Sequence, residues 1–207
     1  FAVSPAAAVV EEAAGEWLKE LLGLPATASF AFVTGGQMAN TTGLAAARYR
    51  VLANHGWDVE RQGLFHAPRI RVVTGEHRHA TIARALRLLG MGTDCVVDLP
   101  LDAQGRLSAH TLQEELERDP HAPTIVLLQA GEINTGAYDD FAALIPIAHG
   151  HGAWVHIDGA FGLWAAASPT YRHLMRGADA ADSWGTDGHK WLNVPYDCGI
   201  TICRHPA

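Results

Sequence analysis

A chain of 207 residues, 48% hydrophobic and 18% charged, suffices for one α/β domain with a buried core and lacks the polarity of a disordered segment. Its net charge of −7 gives no electrostatic footprint for nucleic acid or for an anionic membrane. No apolar run approaches the roughly 20 residues of a membrane-spanning helix, and the opening residues lack the charged-then-apolar order of a secretory leader.

Short apolar runs alternate with amphipathic stretches along the chain. Ser4-Pro5 opens the first helix, with Ser4 at the cap and proline at the first helical position. Trp17, Leu18, Leu21 and Leu22 keep helical spacing, and Gly23 and Pro25 end the helix. Strands are predicted over Phe30–Val33, Ile70–Val73, Cys95–Leu99, Thr124–Leu128, Ala153–Ile157, Ala181–Trp184 and Gly199–Cys203. Helices are predicted between them over Met38–Asn54, Thr81–Leu89, Leu112–Arg118 and Phe141–Gly150, with Ser108 or Thr111 capping the third of these and Asp139 the last. Most of the strand runs are apolar throughout, as strands covered on both faces are. The pattern predicts an α/β three-layer sandwich, a seven-stranded, mostly parallel sheet with helices on both faces. Ligands of such sheets bind beyond the carboxyl ends of the strands, so the residues after each strand are the ones to search for chemistry.

After the first strand, Thr34-Gly35-Gly36-Gln37 runs into a helix, a place where backbone N–H groups and the helix dipole favour an anion. It is neither a GxxxxGK[ST] nor a GxGxxG loop, and a Gly-Gly turn alone is more often only a turn. Glu76-His77-Arg78-His79 follows the second strand; exposed histidines are the ordinary reading, and no recognisable further ligands accompany them, so no metal is expected. Small and polar residues from Gln129 to Asp139 follow the fourth strand. Asp158 ends the fifth, apolar strand, where an acid is costly unless paired. After the sixth come Ser183 to Trp191, with Lys190 set among aromatic, small and apolar residues. A partly desolvated lysine is nucleophilic and suited to imine formation, although a surface lysine is the commoner case. Together these features supply what pyridoxal phosphate (PLP) needs: a lysine for the Schiff base, a carboxylate for the ring nitrogen, donors for the phosphate and flat or small groups beside the ring.

At these residues the sequence resembles the PLP-dependent group II amino-acid decarboxylases of the aspartate-aminotransferase-like fold, fold type I. The resemblance runs from about Ser4 to about Cys203. It is carried by Trp17-Leu18 to Leu24-Pro25, Thr34-Gly35-Gly36 with Ala39-Asn40, His79-Ala80-Thr81, and Asn134-Thr135-Gly136-Ala137 with Asp139. Its most specific pieces are His156-Ile157-Asp158-Gly159-Ala160 and Ala181-Asp182-Ser183 leading to His189-Lys190-Trp191-Leu192. The resemblance implies decarboxylation of an amino acid, with Lys190 as the Schiff-base lysine and Asp158 on the ring nitrogen. It also implies His79 stacked on one ring face and Ala160 near the other, phosphate contacts from Gly36 and Gln37 with help from His189 and Ser183, and Thr135 and Asn134 lining the cofactor and substrate side. This sequence departs from the family in carrying Gln37 and Met38 where serine or threonine is usual, Thr81 for serine, and Asp187 where an uncharged residue such as asparagine is common.

Family members are about twice as long. Residues 1–207 therefore correspond to a PLP-binding large domain, and the N-terminal arm and C-terminal small domain are missing. The resemblance also implies a homodimer acting on a small amino acid, with no nucleic-acid or membrane partner. Cys95, Cys198 and Cys203 have no CxxC spacing and are expected to be free thiols in a reducing, cytoplasmic compartment. Two other readings fit the same residues: another fold type I reaction (aldolase-type lyase, aminotransferase or desulfurase), or a truncated, non-catalytic PLP-binding module.

Overall fold

The computed structural model describes residues 4–204. Its seven strands are β1 (Ser29–Val33), β2 (Arg71–Gly75), β3 (Val96–Leu99), β4 (Thr124–Gln129), β5 (Trp154–Asp158), β6 (Ser183–Asp187) and β7 (Gly199–Cys203). They form one sheet in the order β1-β7-β6-β5-β4-β2-β3. β7 runs antiparallel to both of its neighbours and every other pairing is parallel, as the mostly parallel expectation requires. The helices are α1 (Pro5–Leu21), α2 (Gly36–Asn54), α3 (Val59–Gln62), α4 (Ala80–Leu88), α5 (Ala109–Arg118), α6 (Phe141–Gly150) and α7 (Gly188–Trp191). Three short 3-10 turns fill the crossover between β5 and β6.

Each central strand is apolar on both sides because the sheet is covered on both sides. Ile125 and Leu127 of β4 join Leu44, Leu52, Ile82 and Leu86 of α2 and α4 in one core. Val126 and Leu128, turned the other way by the strand period, join Leu112, Leu116, Phe141 and Leu144 of α5 and α6. The helices thus form outer layers on a sheet whose topology brings the ends of β2, β4, β5 and β6 to one edge.

The structure moves several predicted details. Of the predicted apolar set, Leu18 and Leu22 join the core but Trp17 and Leu21 face solvent; α1 also packs through Gly15, where a Cβ would sit 2.0 Å from the Phe30 ring. Lys19 is buried and ties down the following loop by donating to the carbonyls of Ala26 and Ala28, each at 2.8 Å. Asp139 caps no helix: Asp140 caps α6, accepting from Ala143 N–H, while buried Asp139 accepts from the N–H groups of Leu107 and Gln129. Ser108 stands at the N-cap of α5 without a side-chain hydrogen bond. β6 runs on to Asp187, because Gly185 is a point of close backbone approach and not a break: a Cβ there would lie 2.5 Å from Asn40 Oδ1. No helix of the described residues is long and apolar enough to cross a membrane.

Candidate active site

The sheet delivers residues from separate loops to one pocket. His79, Gln129, Gly131, Ile133, Asp158, Ala160, Phe161 and Lys190 line it. His79 is placed by the start of α4, where its Nδ1 takes the Thr81 hydroxyl at 2.9 Å and the Thr81 N–H at 3.3 Å, so Nε2 is the ring nitrogen not used by that cap. Asp158 comes at the last position of β5 and is buried. Burial pushes its carboxyl above the ordinary aspartate range; the Ala160 N–H at 3.2 Å, the charges of His79 and Lys190 and a hydrogen bond from Asn40 oppose that without reversing it. A buried acid held in this state is completed by a cation.

Lys190 lies on α7, the single helical turn after β6. Its Nζ is 2.8 Å from Asp187 Oδ2 and 4.2 Å from the centre of the Phe161 ring. Asp187 is buried, and its Oδ1 has no hydrogen-bond partner among the described residues; His189 Nε2 is 3.8 Å away. The double-glycine turn passes directly over this carboxylate. Gly35 holds φ +97°, a conformation that favours glycine, and a Cβ on Gly36 would come within 2.6 Å of Asp187 Oδ2. The N-terminus of α2 therefore opens beside an acid as well as beside the lysine.

Of the residues expected at a cofactor site, His79, Asp158, Ala160 and Lys190 share the pocket wall. Gly36 and Gln37 sit at the start of α2, with Gln37 Nε2 donating to the Thr81 carbonyl at 3.1 Å, so only the main chain of this turn is left to face an anion. His189 is held by the Cys198 main chain, its Nδ1 3.0 Å from both N and O. Two expectations shift. Ser183 is fully buried at the start of β6, its hydroxyl bonded to Trp154 and His156 inside the sheet, so it cannot also reach a phosphate beyond the strand ends. Thr135 and Asn134 lie on an exposed turn outside the pocket wall, organised by the buried Glu132, to which both donate. Burial raises the Glu132 pKa, but the donors of Thr135 and Asn134 outweigh it and hold the carboxyl below its usual range.

Glu132, Phe161, and the pair Asn40 and His156 behind Asp158 carry no role in the sequence reading. A sequence signal existed only for the last pair, since His156 alternates with Asp158 along a strand and so faces the same side. Next to the pocket, and sharing Gly131, Ile133 and Phe161 with it, a cavity of about 540 Å³ is walled by Tyr138, Trp164 and Trp191.

An open α/β sheet that gathers a lysine, a buried carboxylate and a helix N-terminus at its strand ends defines a cofactor-binding domain. The chain belongs to the pyridoxal-dependent decarboxylases, whose conserved-domain model matches residues 1–207. It is 33% identical over 192 residues to an aromatic-L-amino-acid decarboxylase of Bacillus atrophaeus, covering 91% of this chain and 38% of that one. It is likewise 33% identical to an L-2,4-diaminobutyrate decarboxylase of Rhizobium meliloti, covering 99% and 39%. Among solved structures, mouse CSAD in its apo form superposes with a TM-score of 0.91 at 26% identity, covering 99% of this chain and 43% of that one. Oryza sativa TDC with PLP and tryptamine gives 0.86 at 28% identity, covering 97% and 43%. The chain thus spans about two-fifths of the length of these relatives. PLP is the cofactor of this family, and the pocket fits it through the buried acid, which lacks a full positive partner, and the lysine facing it.

Proposed function

We propose that the protein is a PLP-dependent carboxy-lyase that converts an amino acid to its amine and CO₂. The observation that carries the reading is the convergence of Lys190, Asp158 and His79 on one pocket at the strand ends. When bound, PLP would supply an electron sink for the pair left when the substrate's carboxylate departs. Lys190 is the residue that holds the cofactor, and Asp187 keeps its ammonium in place beforehand. Asp158 holds a proton on the ring nitrogen; as a buried carboxylate it gains from that cation what it lacks alone. His79, fixed through Nδ1 by Thr81, presents a flat ring on the pocket wall and keeps Nε2 for a proton or the substrate. Gly36, Gln37 and the first turn of α2 supply main-chain N–H groups to the phosphate, with His189 beside them.

The chain acts as the large domain of a longer protein, with an N-terminal arm and C-terminal small domain outside residues 1–207. Exposed Trp191, Leu192, Val194 and Tyr196, directly after the lysine, support a homodimer that closes the site. Cys95 and Cys198 are free thiols, in keeping with the cytoplasmic protein proposed here.

Full-length protein mixed with PLP is expected to show a visible absorption band that borohydride removes and that Lys190→Ala lacks, and to release CO₂ from at least one amino acid. A folded, dimeric protein without the band overturns the reading.

A further inference from the structure

Behind Asp158 a chain of buried hydrogen bonds crosses from β6 to α2. Trp154 Nε1 donates to Ser183 Oγ at 2.9 Å, Ser183 Oγ lies 2.8 Å from His156 Nδ1, and His156 Nε2 lies 3.1 Å from Asn40 Oδ1. Asn40 stands next to Asp158 in turn: a Cβ on Gly185, the residue paired with Asp158 across the sheet, would meet Asn40 Oδ1 at 2.5 Å, and the Asn40 side chain helps to lower the Asp158 pKa against burial. Trp154, His156 and Asp158 alternate along β5 and so share the face that α2 covers, while Ser183 pairs with His156 across the sheet. Two glycines make the room. A Cβ on Gly43 of α2 would stand 2.5 Å from His156 Cε1, and one on Gly185 would stand 2.5 Å from Asn40 Oδ1.

The direction of this chain is set from the Asp158 end, with Asp158 ionised as the proposed function requires. An indole N–H only donates and an ionised carboxylate only accepts. To serve Asp158, Asn40 must turn its amide N–H₂ to it and its carbonyl to His156. His156 must then donate from Nε2 and accept at Nδ1, so the Ser183 hydroxyl donates to the ring and accepts from Trp154. Burial lowers the His156 pKa to about 3, so the ring stays neutral and keeps one proton to place. The groups facing Asp158 from the pocket side, His79 and Lys190, are cations when charged and leave this polarity unchanged.

We infer that Asn40, His156 and Ser183 are positioning residues that hold Asp158 as an oriented carboxylate, and so set how firmly the cofactor's ring nitrogen keeps its proton. Without the Ser183 hydroxyl, the His156 proton is free to move to Nδ1. Asn40 then turns over to satisfy Nε2 and presents its carbonyl to Asp158, which favours the protonated acid. This rests on the proposed partnership of Asp158 with the ring nitrogen.

The test is the ¹⁵N signal of ring-labelled PLP bound to the full-length protein, followed over pH. Wild type is expected to show a protonated ring nitrogen. Ser183→Ala should move the signal toward the unprotonated position, lower the pH of proton loss by about one unit and reduce kcat about tenfold with little change in KM. Trp154→Phe is the control: it removes a larger buried group yet leaves Ser183 able to donate, so its signal should match wild type whatever its melting temperature. An unmoved signal in folded Ser183→Ala overturns the inference, and so does an equal shift in Trp154→Phe. If Ser183→Ala fails to fold, Ser183→Cys decides: its weaker S–H donor should give an intermediate signal, and a wild-type signal overturns the inference. A wild-type protein that binds no PLP overturns the proposed function and this inference with it.

Discussion

At the end of β5, Asp158 is reached from behind by neutral, buried groups in one bonded chain, and its surroundings are complete apart from a cation in the pocket. Across the pocket Lys190 stands on a single helical turn, partly exposed, held by the ion pair to Asp187 and the face of Phe161. The turn above that pair is flanked by two acids: a Cβ on Gly35 would meet Asp197, and one on Gly36 would meet Asp187. One end is built into the sheet and pre-organised before any ligand arrives. If the start of α2 takes the cofactor's phosphate as proposed, the other end must rearrange charge, because the carboxylate that steadies the lysine also faces that turn. A strand end inside a covered sheet can be rigid cheaply; a short helix at the rim depends on what binds it or covers it.

The sharpest way to break this contrast is Asp158→Asn. An amide cannot hold a positive ring nitrogen, so turnover should fall by roughly three orders of magnitude while PLP still binds through Lys190. Equal losses of turnover and PLP binding would show that the rigid end serves retention and not chemistry. Asp187→Asn probes the other end. It removes a negative charge beside the double-glycine turn and should tighten PLP binding by roughly tenfold, as expected for one like-charge contact of partly buried groups. Titration with pyridoxal, which lacks the phosphate, should show a smaller gain. Equal gains for both ligands would mean that Asp187 acts only through Lys190.

How much of this was legible in the sequence follows the same division. The parallel sheet could be read because each central strand is apolar on both faces, and the residues after each strand could be read because this topology puts ligands there. Lys190 and Asp158 stood out as candidates that way, while His79 and Ala160 took their roles from the family resemblance; the structure brings all four to one wall. Ser183 was misplaced because the sixth strand is predicted to end at Trp184, which puts Ser183 near its carboxyl end. In the fold Gly185 lets Asn40 approach, β6 continues to Asp187, and Ser183 falls inside the sheet. Asp139 looked like a cap because it precedes a helix, but its neighbour Asp140 takes that place and Asp139 braces two loops. Glu132 and Phe161 could not be found from spacing at all, since their partners are set by loop conformation. The acid at Asp187 was visible as a departure from the family; that it pairs with Lys190 needed three dimensions.

The rigid end also predicts how the protein responds to acid. His156 is fully buried, and burial pushes its pKa from the ordinary imidazole value of 6.5 down to about 3. As pH falls below 6.5 the unfolded chain binds a proton here that the folded chain refuses, so stability is lost across the window down to about 3. The slope from this one group should approach 1.4 kcal/mol for each pH unit. Asp158 bends the curve the other way: its raised folded pKa means that stability present at low pH is lost as pH rises through that pKa, and bound PLP, by supplying the cation, should reduce that loss. Denaturant titrations of wild type and His156→Gln between pH 7 and pH 4 separate the two contributions. The variant should have a flatter acid limb even if its stability at pH 7 is lower, because glutamine has no proton to take up. A parallel pair of curves would mean that His156 is reached by solvent or charged in the folded protein, and the rigid end would then be no more pre-organised than the rim.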